Sequence, residues 1–233
     1  MRVDVQPVVA QLTGLAEHGT VVVIDVFRAT TTITTALANG ARYVLPAADV
    51  EQALKLYEPY EESEAVLGGE REGVKIQGFH LGNSPAEYSP DRVRNRVIVF
   101  TSTNGSRTIL ACRDARKLYL GCFLNLSRVA DELASDEEVT LVCAGDNGRL
   151  SLEDFICAGG IVARLARSAE LSDSALAAKL SYQSVRTRLV KTLCVTAHGR
   201  ELTRLGFRSD MEQALRLDAV SVLPRLTEGR IQL

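Results

Sequence analysis

The stretch VVVIDVFRATTT, from Val21 to Thr32, decides the fold class. Four β-branched residues, Val21 to Ile24, are followed by Asp25 and then by Arg28 and three threonines that open a helix-like pattern. A continuous β-branched run predicts a strand covered on both faces, because a strand with one wet face alternates instead. A buried strand that passes directly into a helix is typical of α/β proteins.

The same plan recurs twice further along the chain. VIVF at residues 97–100 precedes TSTNGSRTILAC, and VTLVC at 139–143 precedes AGDNGRLSLEDFICAGG. We expect weaker strands at 42–45, 65–67 and 117–121, helices at 49–57, 127–133 and 210–217, and an almost wholly helical stretch from 150 to 217. Residues 68–90 are rich in Gly, Pro and Asn and predict a long loop without a helix or strand of its own. Gly159 and Gly160 inside a helix cost about 2 kcal/mol in propensity, which indicates that another backbone or a ligand comes close.

Composition limits the class of protein. The 233 residues carry a formal net charge of −2 and are 46% hydrophobic and 5% aromatic, which is ordinary for a globular chain of one large or two small domains. Near-neutral charge and few aromatics argue against a nucleic-acid partner, so we expect a small molecule. The five cysteines form no CxxC pair and predict reduced thiols. No apolar run reaches the ~18–20 residues of a membrane span, and we expect a cytoplasmic protein.

The first junction is a candidate anion site. Asp25 stands at the end of an apolar strand, and Arg28 stands at a helix start, where exposed N–H groups favour a phosphate or carboxylate. Asp25 in an apolar run is costly unless something ionic compensates it. The alternative is structural: a threonine-rich capping segment with Asp25 hydrogen-bonded to backbone.

Two further loops carry polar residues of the right type. GGEREG at 68–73, with GFHLGNSP at 78–85, combines glycines with an adjacent acid and arginine, or else forms a pair of solvated turns. TSTNGSR at 101–107 is a hydroxyl-rich loop that suits an oxyanion, although Asn104 and Gly105 also read as a simple turn. Neither a Walker A loop nor a GxGxxG motif occurs, which disfavours nucleotide binding.

The last junction contains Ser151, Glu153 and Asp154. Ser151 and Asp154 fit a helix capping box, whereas the two adjacent acids also suit a hard divalent cation that keeps several waters. A Cys-x5-Arg spacing between Cys122 and Arg128 resembles that of cysteine phosphatases, but its loop has no glycine to cradle a phosphate, and we interpret the match as accidental.

Taken in order, IDVFRATTT, GGEREGVKIQGFHLGNSPAEY, TSTNGSR and AGDNGRLSLEDFICAG closely resemble the 2-phosphosulfolactate phosphatase (ComB) family, with a looser tail at 198–202 and 205–207. Asp146 replaces a threonine usual in that family. The resemblance implies an α/β layered fold with mixed sheets, in which residues 1–233 form a single domain of two similar, intimately packed subdomains. It also implies a Mg2+-dependent phosphatase that releases phosphate from 2-phospho-3-sulfolactate on the route to coenzyme M.

The matching motifs give this chain a set of expected site residues. The acids that match as Mg2+ ligands are Asp25, Glu70, Glu153 and Asp154. Substrate-binding residues by position are Arg28, Thr30, Arg71, Asn83, Thr103, Asn104, Gly105 and Arg107. Asp25, Arg28 and Arg107 are the expected catalytic residues, and Asp25 either ligates Mg2+ or attacks phosphorus.

The expected function is hydrolysis of a small anionic phosphoester, without a nucleic-acid or membrane partner. A trianionic substrate needs the cation and at least two arginines to offset its charge. The alternative is a non-catalytic binding protein or sensor that uses the same arginines. The long helical stretch from 150 onward offers surface for a homodimer.

Overall fold

The computed structural model describes residues 1–8, 19–165 and 169–233. It is a mixed α/β structure, as predicted. The strands are β1 Arg2–Gln6, β2 Thr20–Ile24, β3 Tyr43–Ala47, β4 Ala65–Arg71, β5 Val74–Lys75, β6 Val97–Thr101, β7 Lys117–Gly121, β8 Glu138–Cys143, β9 Glu170–Leu171, β10 Arg225–Thr227 and β11 Arg230–Gln232. The helices are α1 Ala29–Ala38, α2 Val50–Tyr57, α3 Pro90–Val93, α4 Gly105–Ala111, α5 Leu126–Leu133, α6 Leu152–Leu165, α7 Asp173–Val185, α8 Leu189–Leu193, α9 Ala197–Arg204 and α10 Arg208–Ala214.

The strands of the described residues join in the order β5-β4-β6-β3-β11-β10-β7-β2-β8-β1-β9. One parallel group contains β4, β6 and β3, and the other contains β7, β2, β8, β1 and β9. The hairpin of β10 and β11 lies between the two groups and pairs antiparallel with β7 on one side and β3 on the other. This hairpin therefore makes one mixed sheet out of two parallel halves.

The two parallel groups share a hydrophobic core. The predicted runs β2 and β6 are buried at every position, because each is covered on both faces. One core cluster takes Val21 and Val23 of β2, Ile98 and Phe100 of β6, and the inner faces of α1 and α4. A core built from both groups around the same helices requires the sheet to curl. The curl brings the carboxyl ends of strands from both groups to one place.

One sequence expectation was wrong. Residues 68–90 are not a loop without structure: β4 continues to Arg71, β5 pairs with it, and a short 3-10 helix occupies Pro85–Glu87. The glycines of β4 made this stretch resemble a loop in the sequence. In the structure they allow close packing of the strand, since a Cβ on Gly69 would lie 1.9 Å from the carbonyl oxygen of Thr101. The stretch 150–217 is helical as expected apart from edge strand β9, and its residues 166–168 lie outside the described residues. The reading of residues 1–233 as a single domain stays a prediction.

The glycine pair of α6 marks a close helix contact, as predicted. A Cβ on Gly159 would lie 2.0 Å from the carbonyl oxygen of Ala178 on α7, and one on Gly160 would lie 2.6 Å from Leu126. The backbone of α7 therefore rests directly on α6. Among the described residues, no helix combines the length and apolar character needed to cross a membrane.

We expect Gly159→Ala to lower the free energy of unfolding by about 1–3 kcal/mol, because the added methyl pushes α7 away from α6. This loss exceeds the gain of up to about 1 kcal/mol that alanine brings to a helix. Gly19→Ala is the control, since no described residue would lie closer than 3.6 Å to its Cβ. Urea denaturation of both variants measures the difference, and a Gly159→Ala protein as stable as the wild type would refute the contact.

Candidate active site

A cavity of about 320 Å³ opens where the curled sheet brings strand ends together. Its wall includes residues that follow β2 and β8, residues at the end of β4 and beyond β6, and one side of α9. The lining residues are Asp25, Phe27, Arg28, Glu70, Glu72, Gly73, Asn83, Thr103, Asn104, Asp146, Asn147, Ala197, His198, Glu201, Leu202 and Leu205. Six residues expected from the sequence, Asp25, Arg28, Glu70, Asn83, Thr103 and Asn104, thus meet in one cavity.

Asp25 lies between β2 and α1, where β2 delivers it to the cavity wall. Its Oδ1 accepts the backbone N–H of Ala29 at 3.2 Å, and its Oδ2 has no hydrogen-bond donor among the described residues. Burial, followed by the negative charges of Glu70 and Glu153, raises the pKa of Asp25 to about 7, while His198 and the hydrogen bond from Ala29 oppose the rise. The structural and the functional interpretation of this junction both hold in part, because Asp25 accepts a backbone N–H of the turn through Oδ1 and leaves Oδ2 available to a ligand.

Gly105 lies against Asp25 at the start of α4. A Cβ at this position would lie 2.4 Å from Asp25 Oδ2 and 2.5 Å from the Cβ of Ala29. The glycine therefore lets α4 approach the carboxylate more closely than any other residue would. Thr30 lies behind the same turn: its buried hydroxyl accepts the N–H of Asp25 at 3.0 Å and lies 2.8 Å from the carbonyl oxygen of Gly121. Gly105 and Thr30 are not among the lining residues, so they act on the shape of the site.

Asp154 connects the segments after β2 and β8 through hydrogen bonds. Its Oδ1 accepts the N–H of Val26 at 2.8 Å, and its Oδ2 accepts the N–H of Gly145 at 3.2 Å. Burial raises the pKa of Asp154 well above its usual value, and the charges of Asp25 and Glu153 add to the effect. Both oxygens of this carboxylate therefore accept a backbone N–H, one from each segment.

Glu153 pairs with a residue that the sequence analysis did not single out. Its Oε1 lies 2.6 Å from Nδ1 of His198 on α9, while its Oε2 is buried without a partner among the described residues. Burial tends to lower the pKa of His198, but the hydrogen bond and charge of Glu153 outweigh it and raise the pKa. The only sequence signal for His198 was its place in the looser tail of the family pattern.

Glu70 organises the opposite wall. Its Oε1 accepts the N–H of Thr103 at 2.7 Å, and its Oε2 accepts the N–H of Gly73 at 2.8 Å. The hydroxyl of Thr103 lies 3.2 Å from the same Oε2. Because three donors converge on one carboxylate, Glu70 fixes the end of β4 against the loop after β6.

Arg28 enters the cavity wall from the start of α1. Its Nη1 donates to Asp210 Oδ2 at 2.9 Å, its Nη2 donates to the carbonyl oxygen of Gly73 at 2.6 Å, and its guanidinium lies 3.9 Å from the ring centroid of Phe207. Asp210 was not expected from the sequence. It stands on α10, far from every motif.

The other expected residues differ in position. Asn83 is buried in the wall, and its Oδ1 has no partner in the part of the chain that the structure describes. Asn104 Oδ1 accepts the N–H of Asn147 at 3.2 Å. Arg71 and Arg107 are not among the lining residues: Arg71 donates to Thr101 Oγ1, and Arg107 is exposed with its Nε 3.4 Å from the carbonyl oxygen of Ala48. Their roles in binding substrate stay predictions.

The electrostatic character of the cavity is acidic. Among the described lining residues the carboxylates outnumber the cationic side chains: Asp25, Glu70, Glu72, Asp146 and Glu201 stand against Arg28 and His198. No group of three or more acid, histidine or cysteine side chains in the described residues is arranged to hold a metal ion. Mg2+ does not require such a cage, because it keeps several waters and uses one or two carboxylates. The Asp25 oxygen that no described donor engages fits that requirement at the cavity wall, whereas Asp154 is already used. Glu153 also keeps an oxygen without a described partner, but it is buried and is not among the lining residues.

Cys122 is not equipped as a nucleophile. The thiol is fully buried, burial raises its pKa, and Sγ lies 3.5 Å from Asn125 Oδ1. A phosphatase cysteine needs a lowered pKa and an exposed phosphate cradle. Arg128 of the same motif pairs with Glu132. The geometry agrees with the interpretation that this spacing is accidental.

The fold and the cavity define an α/β protein with an acid-lined site at the carboxyl ends of its strands, a position where such proteins bind small ligands. A family model described as 2-phosphosulpholactate phosphatase matches residues 8–229. The chain belongs to this family, and it is an enzyme of the phosphoric monoester hydrolase class.

Curated relatives cover nearly the whole chain. A probable 2-phosphosulfolactate phosphatase of Symbiobacterium thermophilum is 43% identical over 216 residues, which are 91% of this chain and 93% of the relative. One of Thermotoga petrophila is 44% identical over 214 residues, which are 91% of each. One of Clostridium acetobutylicum is 38% identical over 219 residues, which are 92% of each.

In buffer with EDTA, we expect the Asp25 carboxyl to lower stability as pH rises from about 4 to about 7. The folded state binds this proton more tightly than the unfolded state, whose pKa is near 3.8, so the stabilisation is complete below pH 3.8 and lost as pH rises through about 7. His198 has a raised pKa, so its contribution is likewise lost at alkaline pH. Asp25→Asn should therefore be more stable than the wild type at pH 8, on the order of 1 kcal/mol or more.

Urea denaturation at several pH values measures this difference. Asp91→Asn is the control, because Asp91 is exposed on α3. An equal pH slope for the wild type and Asp25→Asn would contradict the assignment.

Proposed function

We propose that the protein is a Mg2+-dependent phosphatase of small phosphorylated 2-hydroxy acids, with 2-phospho-3-sulfolactate as the candidate substrate. The observation that carries the proposal is the buried Asp25 carboxylate, whose Oδ2 has no donor among the described residues, in a cavity wall that also holds Arg28 and an excess of acids. A dianionic phosphate would be repelled by such a wall unless a cation entered with it. The substrate name comes from the relatives, which are called probable 2-phosphosulfolactate phosphatases.

Asp25 is the wall residue that would hold the cation, and Glu153, whose charge acts on Asp25 although it does not line the cavity, is the second candidate. When bound, Mg2+ would polarise the phosphoryl oxygens and offset their charge. Asp25 itself has two candidate roles, ligand or nucleophile, and both use its unpaired oxygen.

The remaining residues of the wall bind and enclose the phosphoester. Arg28 has five N–H donors, of which the contacts to Asp210 and Gly73 use two, so donors remain for an oxygen of the phosphoryl group. Phe27, Leu202 and Leu205 form an apolar side that limits water around the reacting group.

The rival function is non-catalytic binding of a sulfonated or phosphorylated acid. A phosphate-release assay separates the two, with phosphosulfolactate, phospholactate and phosphoglycolate as substrates, each with Mg2+ and with EDTA. We expect release with Mg2+ and at least about a 10²-fold loss with EDTA. Saturable binding without release under any metal would favour the sensor.

The same assay tests the sulfonate. Arginine and backbone N–H groups bind sulfonate, carboxylate and phosphate alike, and Arg28 is the arginine of the cavity wall. A kcat/KM for phosphosulfolactate well above that for phospholactate supports a sulfonate-reading site. A ratio near one would contradict the proposal that the site recognises the sulfonate group, and it would leave the proposed phosphatase activity unaffected.

For Asp25→Asn we expect a loss of kcat of at least about 10²-fold, roughly 2.7 kcal/mol of barrier, with the fold intact by circular dichroism. Asparagine keeps the shape and the bond to Ala29 but removes the charge. Cys122→Ser is the comparison and should keep most activity. Normal turnover by Asp25→Asn would contradict the catalytic role of Asp25. A folded but inactive Cys122→Ser would instead support Cys122 as the nucleophile.

Titration with Mg2+ distinguishes the two roles of Asp25. A lost ligand weakens metal binding, whereas a lost nucleophile leaves the metal affinity near that of the wild type.

A further inference from the structure

Asp210 links Arg28 to a second part of the cavity wall. Its Oδ2 accepts Nη1 of Arg28 at 2.9 Å, and its Oδ1 accepts the hydroxyl of Ser84 at 2.9 Å. The side chains of the ion pair are 2% and 4% exposed. Ser84 follows Asn83, which lines the cavity, whereas Asp210 is absent from the lining residues. Any effect of Asp210 on a ligand therefore passes through Arg28 or the loop at Asn83.

The guanidinium of Arg28 is held from several sides. Nη2 donates to the carbonyl oxygen of Gly73, in the turn between β4 and β5, and the ring of Phe207 covers one face at 3.9 Å. Phe207 directly precedes α10, which carries Asp210. Helix α10 thus supplies both a charge and an apolar surface to one arginine.

The acidity of the cavity explains why such an anchor matters. A long, flexible arginine among five carboxylates would pair with one of them unless a partner outside the cavity held it. Such a pair would consume the donors that an anion needs and would tie up Asp25 or Glu70. A buried carboxylate behind the cavity wall removes that competition, because Arg28 is neutralised without closing the cavity.

We propose that Asp210 is a positioning residue that keeps Arg28 presented to the phosphoryl group of the substrate. The proposal rests on the proposed phosphatase function for its ligand. It also assigns α10 a part in the site, although no residue of α10 lines the cavity.

A double-mutant cycle tests the proposal with Asp210→Ala, Arg28→Ala and both together. The measurements are kcat and KM with the best ester of the panel, the Kd for inorganic phosphate by calorimetry with Mg2+, and the thermal unfolding temperature. We expect Asp210→Ala to raise KM and the phosphate Kd at least about tenfold, and to change either less than about twofold once Arg28 is absent. Asp210→Glu should restore both to within about fivefold of the wild type.

The matched control is Asp136→Ala. Asp136 is a buried carboxylate that pairs with Lys117 at 2.7 Å and is not among the lining residues, so its loss should lower the unfolding temperature and leave KM and Kd unchanged. If Asp210→Ala fails to fold, Asp210→Asn replaces it. The amide oxygen and nitrogen can face Arg28 and Ser84 respectively, so this variant isolates the charge, and we expect the same direction of change.

Three results would overturn the proposal. One is a lower unfolding temperature in Asp210→Ala with unchanged KM and Kd, which is a purely structural role. Another is an additive effect of the two alanine substitutions. The third is a wild type that does not bind phosphate. If the wild type binds phosphate but hydrolyses no ester, the proposed function fails, and the cycle in phosphate Kd still decides the role of Asp210.

Discussion

Crowding of negative charge at one end of the curled sheet is the constraint on which the site depends. Asp25, Glu70, Glu153 and Asp154 would repel one another if each were ionised and unpaired. The fold offsets this differently for each acid: backbone N–H groups saturate Asp154, loop donors saturate Glu70, and His198 pairs with Glu153. Asp25 keeps one oxygen without a donor among the described residues, and burial is the main cause that raises its pKa to about 7, so a cation or a reacting phosphorus has most to gain there.

The polar residues at the ends of buried strands could be predicted from local sequence, because a buried strand and the loop that follows it are adjacent in the chain. Asp25, Arg28, Thr103 and Asn104 reach one cavity as the junction argument implies, and Asn83 joins them as the family resemblance implies. Side-chain direction was beyond that argument. Arg71 ends β4 and Arg107 lies in the first turn of α4, and both lie outside the lining of the cavity, because alternation along β4 and the turn of α4 direct their side chains away from it.

Site residues that come from elements distant in the sequence could not be predicted from local patterns. His198 and Asp210 sit on helices whose sequences read as ordinary amphipathic segments, and their partners Glu153 and Arg28 are 45 and 182 residues away. The hairpin of β10 and β11 was missed for a similar reason, since three residues a strand leave no period to detect. Its role follows only from the sheet order, which no local pattern encodes.

That hairpin has a consequence for the order in which the chain is made. It follows every other helix and strand of the described residues, yet it fills the gap between β3 and β7 in the middle of the sheet. Until the ribosome has added residues 225–232, β3 and β7 each present a hydrogen-bonding edge without the strand that pairs with it in the folded protein. The nascent protein would thus pass through a stage with two open sheet edges, in which chaperone binding or pairing between neighbouring chains competes with completion of the sheet.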